Sequence, residues 1–151
     1  MKNGYDIQKF PPSQRLRSLV REEDWNGLDA AVRALTLPEG ELFTFLRRFQ
    51  DFGAIEFIIS IRDAGNDWEE DGIWHDDGSR VFAFSLSLTE NAQALVGGNL
   101  GIRKIGDEQM ELIPTPEFGT IILFLTGVHG YEHRIHRVEE GRRIIIAGWC
   151  S

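Results

Sequence analysis

Hydrophobic residues in the first fifty positions recur at helical spacing, and from residue 51 onward they recur mostly at strand spacing. Leu16, Leu19 and Val20 share one helical face behind Ser13, a candidate cap. Trp25, Leu28, Val32 and Leu35 form a second stripe behind Asp24, and Leu42, Phe45, Leu46 and Phe49 a third after Pro38-Glu39-Gly40. Stripes of this kind bury one face of an amphipathic helix. Residues 1–50 are therefore expected to be helical support, entered through a polar arm or edge segment, residues 1–12, that ends in Pro11-Pro12.

The period changes after the break at Phe52-Gly53. Ile55, Phe57, Ile59 and Ile61 alternate with Glu56, Ile58, Ser60 and Arg62, which predicts a strand with one strongly apolar face. A second strand, 81–89, carries Phe82, Phe84, Leu86 and Leu88 on one side and small residues on the other. Shorter strands are expected at 99–103 and 111–114, and the nearly continuous apolar run 120–126 reads as a buried strand. Gly97-Gly98 opens no helix, so the pair suits a bulge or a close backbone approach rather than a phosphate cradle. Many short strands separated by turns predict a barrel or sandwich. The fold class is mostly β with N-terminal helices (α+β), and residues 1–151 are expected to form a single domain with its β core at 51–151.

Composition narrows the partners. Sixteen basic against twenty-four acidic residues give a formal charge of −8, which disfavours general binding to polyanions, nucleic acid included. The acidic surface would suit a basic peptide. The single cysteine, Cys150, excludes an internal disulfide, and nothing near it marks an activated thiol. No apolar run approaches a membrane span, and the first residues lack the apolar core of a signal peptide. A cytoplasmic protein is the expectation.

The candidate chemistry lies in the second half. In a strand, side chains alternate faces, so the His-x-Asp spacing of His75 and Asp77 puts both on one side and Asp76 on the other. Two imidazoles and one carboxylate are a ligand set for Fe(II) that leaves positions open. A third ligand must come from a distant strand. His133 is well placed, because a strand, a turn at Glu139-Glu140-Gly141 and another strand follow it; His129 and His136 are rivals. Arg143 begins the last strand, where its guanidinium fork would suit the far carboxylate of a small diacid, and Arg142 faces the opposite side. The acidic stretch 63–72, with Trp68 in it, is either a solvated loop or a lid that selects substrate.

These residues also form an ordered set: His75-x-Asp77, then Gly97-Gly98-x-Leu100, then Pro116, Gly119 and Phe124, then His133, Ile135, Val138, Gly141 and Arg143, and finally Trp149. Over roughly residues 70–150 the set resembles the core of the prolyl-hydroxylase-like 2-oxoglutarate/Fe(II) dioxygenases. The resemblance implies a double-stranded β-helix, the jelly roll of cupin-like barrels, buttressed here by about three helices. It implies that His75, Asp77 and His133 ligate iron and that Arg143 binds the distal carboxylate of 2-oxoglutarate, with no catalytic residue beyond the metal ligands. The spacing to Arg143 favours His133 over His136. The implied cofactors are Fe(II) and 2-oxoglutarate, with ascorbate as an accessory reductant. The implied reaction uses O2 to hydroxylate a C–H bond of a small-molecule or peptide substrate and yields succinate and CO2.

Departures from that pattern qualify the reading. Ser87 falls where many members place a tyrosine that holds 2-oxoglutarate, so anchoring of the cosubstrate is expected to be rearranged or weaker. Arg137 stands where a proline is common. Trp149 stands six positions after Arg143, where the nucleic-acid demethylases carry a second arginine, and Asp77 argues against the halogenases. The rival expectation is a jelly-roll metal-binding or sensor module without oxygenase activity. Arg143 discriminates, because such a module has no need of a buried carboxylate fork. Each ligand histidine is also expected to have a polar partner behind it.

Overall fold

A computed structural model describes residues 1–65 and 71–151, so the lid expected around Trp68 lies outside the described residues. The three stripes become α1 (Arg17–Arg21), α2 (Trp25–Thr36) and α3 (Glu41–Arg47). Asp24 caps α2, its carboxylate accepting the Gly27 N–H at 2.9 Å. Ser13 does not cap α1: Pro11 and Pro12 start a 3-10 turn ahead of it, and its hydroxyl donates to the Phe10 carbonyl. On α3, Leu42, Phe43 and Leu46 are buried, whereas Phe45 and Phe49 are only partly covered.

The strands, in chain order, are β1 (Tyr5–Lys9), β2 (Ile55–Asp63), β3 (Phe82–Ser87), β4 (Val96–Gly97), β5 (Leu100–Lys104), β6 (Glu111–Ile113), β7 (Thr120–Leu125), β8 (Tyr131–Ile135), β9 (Val138–Glu140) and β10 (Arg142–Cys150). Five of them form one antiparallel sheet in the order β1-β7-β3-β10-β2, so the polar N-terminal segment ends up as an edge strand. A second sheet has the order β6-β5-β8, and β4 pairs with β9. The turn expected at Glu139-Glu140-Gly141 is shorter than that: both glutamates belong to β9, and only Gly141, at φ +87°, turns the chain into β10. The partner that extends β9 is β4, forty residues earlier in sequence, through pairs such as Val96↔Glu140.

The alternation along β3 explains the layering. Phe82, Phe84 and Leu86 face the helices and join Leu28, Val32, Leu42, Leu46, Ile121, Leu123 and Ile146 in the main core. Fully burying each such side chain contributes roughly 1.5–3 kcal/mol. The small residues Ala83 and Ser85 face the other way, toward Leu100, Ile102, Ile113, Ile122 and Phe124 between the sheets. Two antiparallel sheets around an inner space, with helices on the large sheet's outer face, make the jelly roll that the strand pattern predicts. Cys150 is a packing residue, its thiol pushed up to about 12 by burial. Among the described residues no helix is long and apolar enough to cross a membrane.

Candidate active site

The space between the sheets is a cavity of about 300 Å³, lined by β2, β3 and β10 on one side and by β5, β8 and the His75 segment on the other. His75 reaches it from a single bridge rather than a strand. Its N–H donates to the His133 carbonyl and the His133 N–H donates back, each at 2.8 Å. Asp77 sits in a turn, at φ +60°, a left-handed conformation that aspartate tolerates better than most residues. Asp76 makes that turn: its carboxylate accepts the Gly78 N–H at 2.9 Å and its carbonyl accepts the Gly127 N–H at 2.7 Å. Strand alternation therefore does not bring His75 and Asp77 together. A turn does, with Asp76 consumed in building it.

The three expected ligands meet at one part of the cavity wall. His133 Nε2 lies 3.5 Å from Asp77 Oδ2, and the two imidazole centroids are 6.1 Å apart. Burial lowers the His133 pKa, with nearby Asp77 pulling the other way and His75 adding to the fall. A neutral imidazole at 3.5 Å is too far from the carboxylate for a hydrogen bond and carries no charge to pair with it. Asp77 Oδ2 and His133 Nδ1 are both buried with no hydrogen-bond partner. A buried carboxylate oxygen without a donor is costly, and a shared cation would satisfy it. The donor types and the unmet carboxylate oxygen suit a divalent ion, while among the described residues no three such side chains are grouped closely enough to hold one. Among the described residues, the polar partner expected behind each ligand histidine is absent at His133 Nδ1.

Arg143 lies on the same cavity and is 3% exposed. Its Nε donates to Thr115 Oγ1 at 3.0 Å, and the Thr115 hydroxyl donates in turn to the Gly98 carbonyl at 3.3 Å. Gly98 makes room for it, because a Cβ there would lie 2.9 Å from Arg143 Cδ, on a backbone at φ +71°. Among the described residues no carboxylate pairs with Arg143. Burial, and then the guanidinium of Arg62 on the neighbouring strand, push Arg143 down to about 9, so it stays cationic at neutral pH. Arg142 points outward into ion pairs with Asp63 at 2.6 Å and Glu23 at 2.7 Å.

Of the candidate histidines, His75 and His133 line the cavity. His129 sits in an exposed turn 2.9 Å from the Gln50 amide, and His136 packs over Gly101 outside it. Ser87 is fully buried, its hydroxyl donating to the Pro116 carbonyl at 2.7 Å, and it does not line the cavity. Trp149 does, beside half-exposed Ile58, with the Arg80 guanidinium 5.7 Å from its ring. Arg62 is the cavity residue that sequence reasoning passed over. The available signal was a charged residue on the second face of β2, the face read there only as the less apolar one.

With this geometry in view, comparison with known proteins is informative. Residues 62–151 match the family model of the 2OG-Fe(II) oxygenase superfamily, whose members use Fe(II) and 2-oxoglutarate. A prolyl-4-hydroxylase from Pseudomonas putida superposes with a TM-score of 0.65 at 19% identity, covering 99% of this chain and 88% of that one. A viral collagen prolyl hydroxylase from Paramecium Bursaria Chlorella virus-1 gives 0.52 at 14% identity, covering 96% and 87%. A 2OG-Fe(II) oxygenase family oxidoreductase from Burkholderia pseudomallei gives 0.55 at 15% identity, but 82% of this chain spans only 56% of that one. At such identities the likeness is one of fold. No curated protein sequence matches. The family match covers more than half of the chain, and the chain belongs to the 2OG-Fe(II) oxygenase superfamily.

Proposed function

We propose that this protein hydroxylates a C–H bond of a small-molecule or peptide substrate, with His75, Asp77 and His133 holding Fe(II) and Arg143 holding the distal carboxylate of 2-oxoglutarate. The observation that carries the proposal is that one cavity has two imidazoles and an unsatisfied carboxylate oxygen on its wall together with a buried guanidinium that no described carboxylate answers. When bound, Fe(II) with 2-oxoglutarate supplies O2 activation, with decarboxylation to succinate and CO2. The chain's own residues supply the rest. Burial favours the neutral form of His133, the form that binds a metal, and Asp77 offers a carboxylate oxygen that nothing described bonds. Arg143, cross-braced by Thr115, orients a dicarboxylate along the cavity. Leu100, Phe124, Ile135 and Ile145 give the interior apolar walls, and a lower local dielectric strengthens each charge interaction in it. Trp149 and Ile58 offer the substrate an apolar place beside the site.

The reading of a metal-binding module without oxygenase activity has no use for Arg143 in this cavity. Titration with Mn(II), followed by electron paramagnetic resonance, tests the ligand set. His75→Ala, Asp77→Ala and His133→Ala should each weaken metal binding by at least an order of magnitude, and Arg143→Met should leave it alone. In aerobic Fe(II) solution, Arg143→Met should need far more 2-oxoglutarate for uncoupled succinate formation. Metal affinity indifferent to all three ligand variants would overturn the assignment.

A further inference from the structure

We propose that Arg62 is a second carboxylate-binding residue of this cavity, sharing with Arg143 the distal carboxylate of the bound 2-oxo diacid. The proposal rests on the cosubstrate reading above and assigns the donor that the Ser87 position does not provide.

Three observations lead to it. Arg62 and Arg143 are direct partners in the β2/β10 ladder, so their side chains leave the sheet on the same face. Both are buried, at 8% and 3% exposure, and both line the cavity. Like charges directly opposite one another in a sheet repel, and here burial magnifies the repulsion. Arg62 is paired with Asp71, whose carboxylate is itself nearly buried. Arg143 receives only the Thr115 hydroxyl among the described residues. An anion brought beside the two guanidiniums answers Arg143 and screens it from Arg62.

The second observation concerns β3. The Ser87 hydroxyl is spent on the Pro116 carbonyl and accepts the Thr89 N–H at 3.3 Å, so it has nothing to offer the cavity. Ser85 does line the cavity, but it pairs with Ala147, four residues along β10 from Arg143. At about 3.3 Å per residue that is roughly 13 Å away. β3 therefore supplies no hydroxyl at the level of Arg143, whereas β2 supplies a guanidinium there.

The third is chemical. A carboxylate has two oxygens and about four acceptor sites. Arg143 already spends Nε on Thr115, and a second planar fork from the facing strand completes the donor set in a way a lysine would not. Asp71 keeps Arg62 oriented while the site is empty of acid.

The test separates a carboxylate contact from a general structural role. Anaerobic Fe(II)-loaded protein is titrated with 2-oxoglutarate and with 2-oxopentanoate, which has the same chelating end but no distal carboxylate. Binding is read from the visible chelate band and, independently, by calorimetry. The variants are Arg62→Met, Arg62→Met/Asp71→Asn, which also neutralises the carboxylate left without its partner, and Arg143→Met. In both Arg62 variants the dissociation constant for 2-oxoglutarate should rise on the order of tenfold, with that for 2-oxopentanoate nearly unchanged. If the methionine variants do not fold, Arg62→Lys, which keeps a charge opposite Asp71, should still lose part of the discrimination between the two acids.

An Arg62 variant that keeps the wild-type preference for the diacid, while Arg143→Met loses it, overturns this proposal and leaves the cosubstrate reading intact. Equal weakening of both acids makes Arg62 structural and overturns it as well. Wild-type protein that binds the two acids equally, or forms no chelate, overturns the underlying reading and this one with it.

Discussion

At the arginine end of the cavity, β2 and β10 run side by side through nine antiparallel pairs, from Arg142↔Asp63 to Cys150↔Ile55. At the histidine end, His75 hangs on one bridge to His133, and Asp77 sits in a left-handed turn. The first end is fixed by a ladder before any ligand arrives. At the second, the buried Asp77 Oδ2 and His133 Nδ1 have no hydrogen-bond partner among the described residues. Unsatisfied buried polar groups accompany sites that a ligand or ion completes. On the proposed assignment the contrast is a division of labour: the sheet would carry the register of the acid, and the ion would finish the geometry of its own site.

Substitutions can break or sharpen this contrast. Arg143→Met should act at the ladder end alone. Removing one partner of a buried charge pair costs about 2–5 kcal/mol, so calorimetry should show 2-oxoglutarate affinity falling by well over tenfold while Mn(II) affinity stays put. Gly148→Ala strikes the seam between β10 and β3, because a Cβ there would meet the buried Phe84 ring at 2.1 Å. Overpacking of this kind costs about 1–3 kcal/mol, and a thermal melt should show it as a lower Tm. Asp24→Ala is remote from both ends and removes the α2 cap. It should lower stability by about 1 kcal/mol in urea unfolding and leave metal and acid affinities unchanged. Arg142→Met is the smallest change. Its exposed ion pairs with Asp63 and Glu23 are worth at most about 1 kcal/mol, and 2-oxoglutarate binding should not move although Arg143 is its neighbour.

How much of this was legible in the sequence follows the same division. The helical stripes of α2, the alternation of β2 and β3 and the Asp24 cap were readable because each depends on residues close in sequence. That His75, Asp77, His133 and Arg143 share one cavity was readable from their order and spacing. His75 and Asp77 come together through a turn that Asp76 builds rather than through strand alternation. Arg62 was not legible as a cavity residue, because its role depends on facing Arg143, eighty-one positions away, across a pairing that no local pattern states. The extent of β9 was missed for the same reason, its partner β4 being distant in the chain. Phe43 rather than Phe45 is the buried ring of α3, because Phe43 packs on Phe52 at 4.9 Å, a contact set beyond the helix.

The proposed cavity holds iron at His75, Asp77 and His133 and a 2-oxo diacid at Arg143. Its most direct test is anaerobic: Fe(II) and then 2-oxoglutarate are added to the metal-free protein, and the visible charge-transfer absorption of the chelate is recorded. A band is expected in the wild type, none in His133→Ala, and one in Arg143→Met that needs far more 2-oxoglutarate. Bound metal with no band on adding 2-oxoglutarate to the wild type would contradict it.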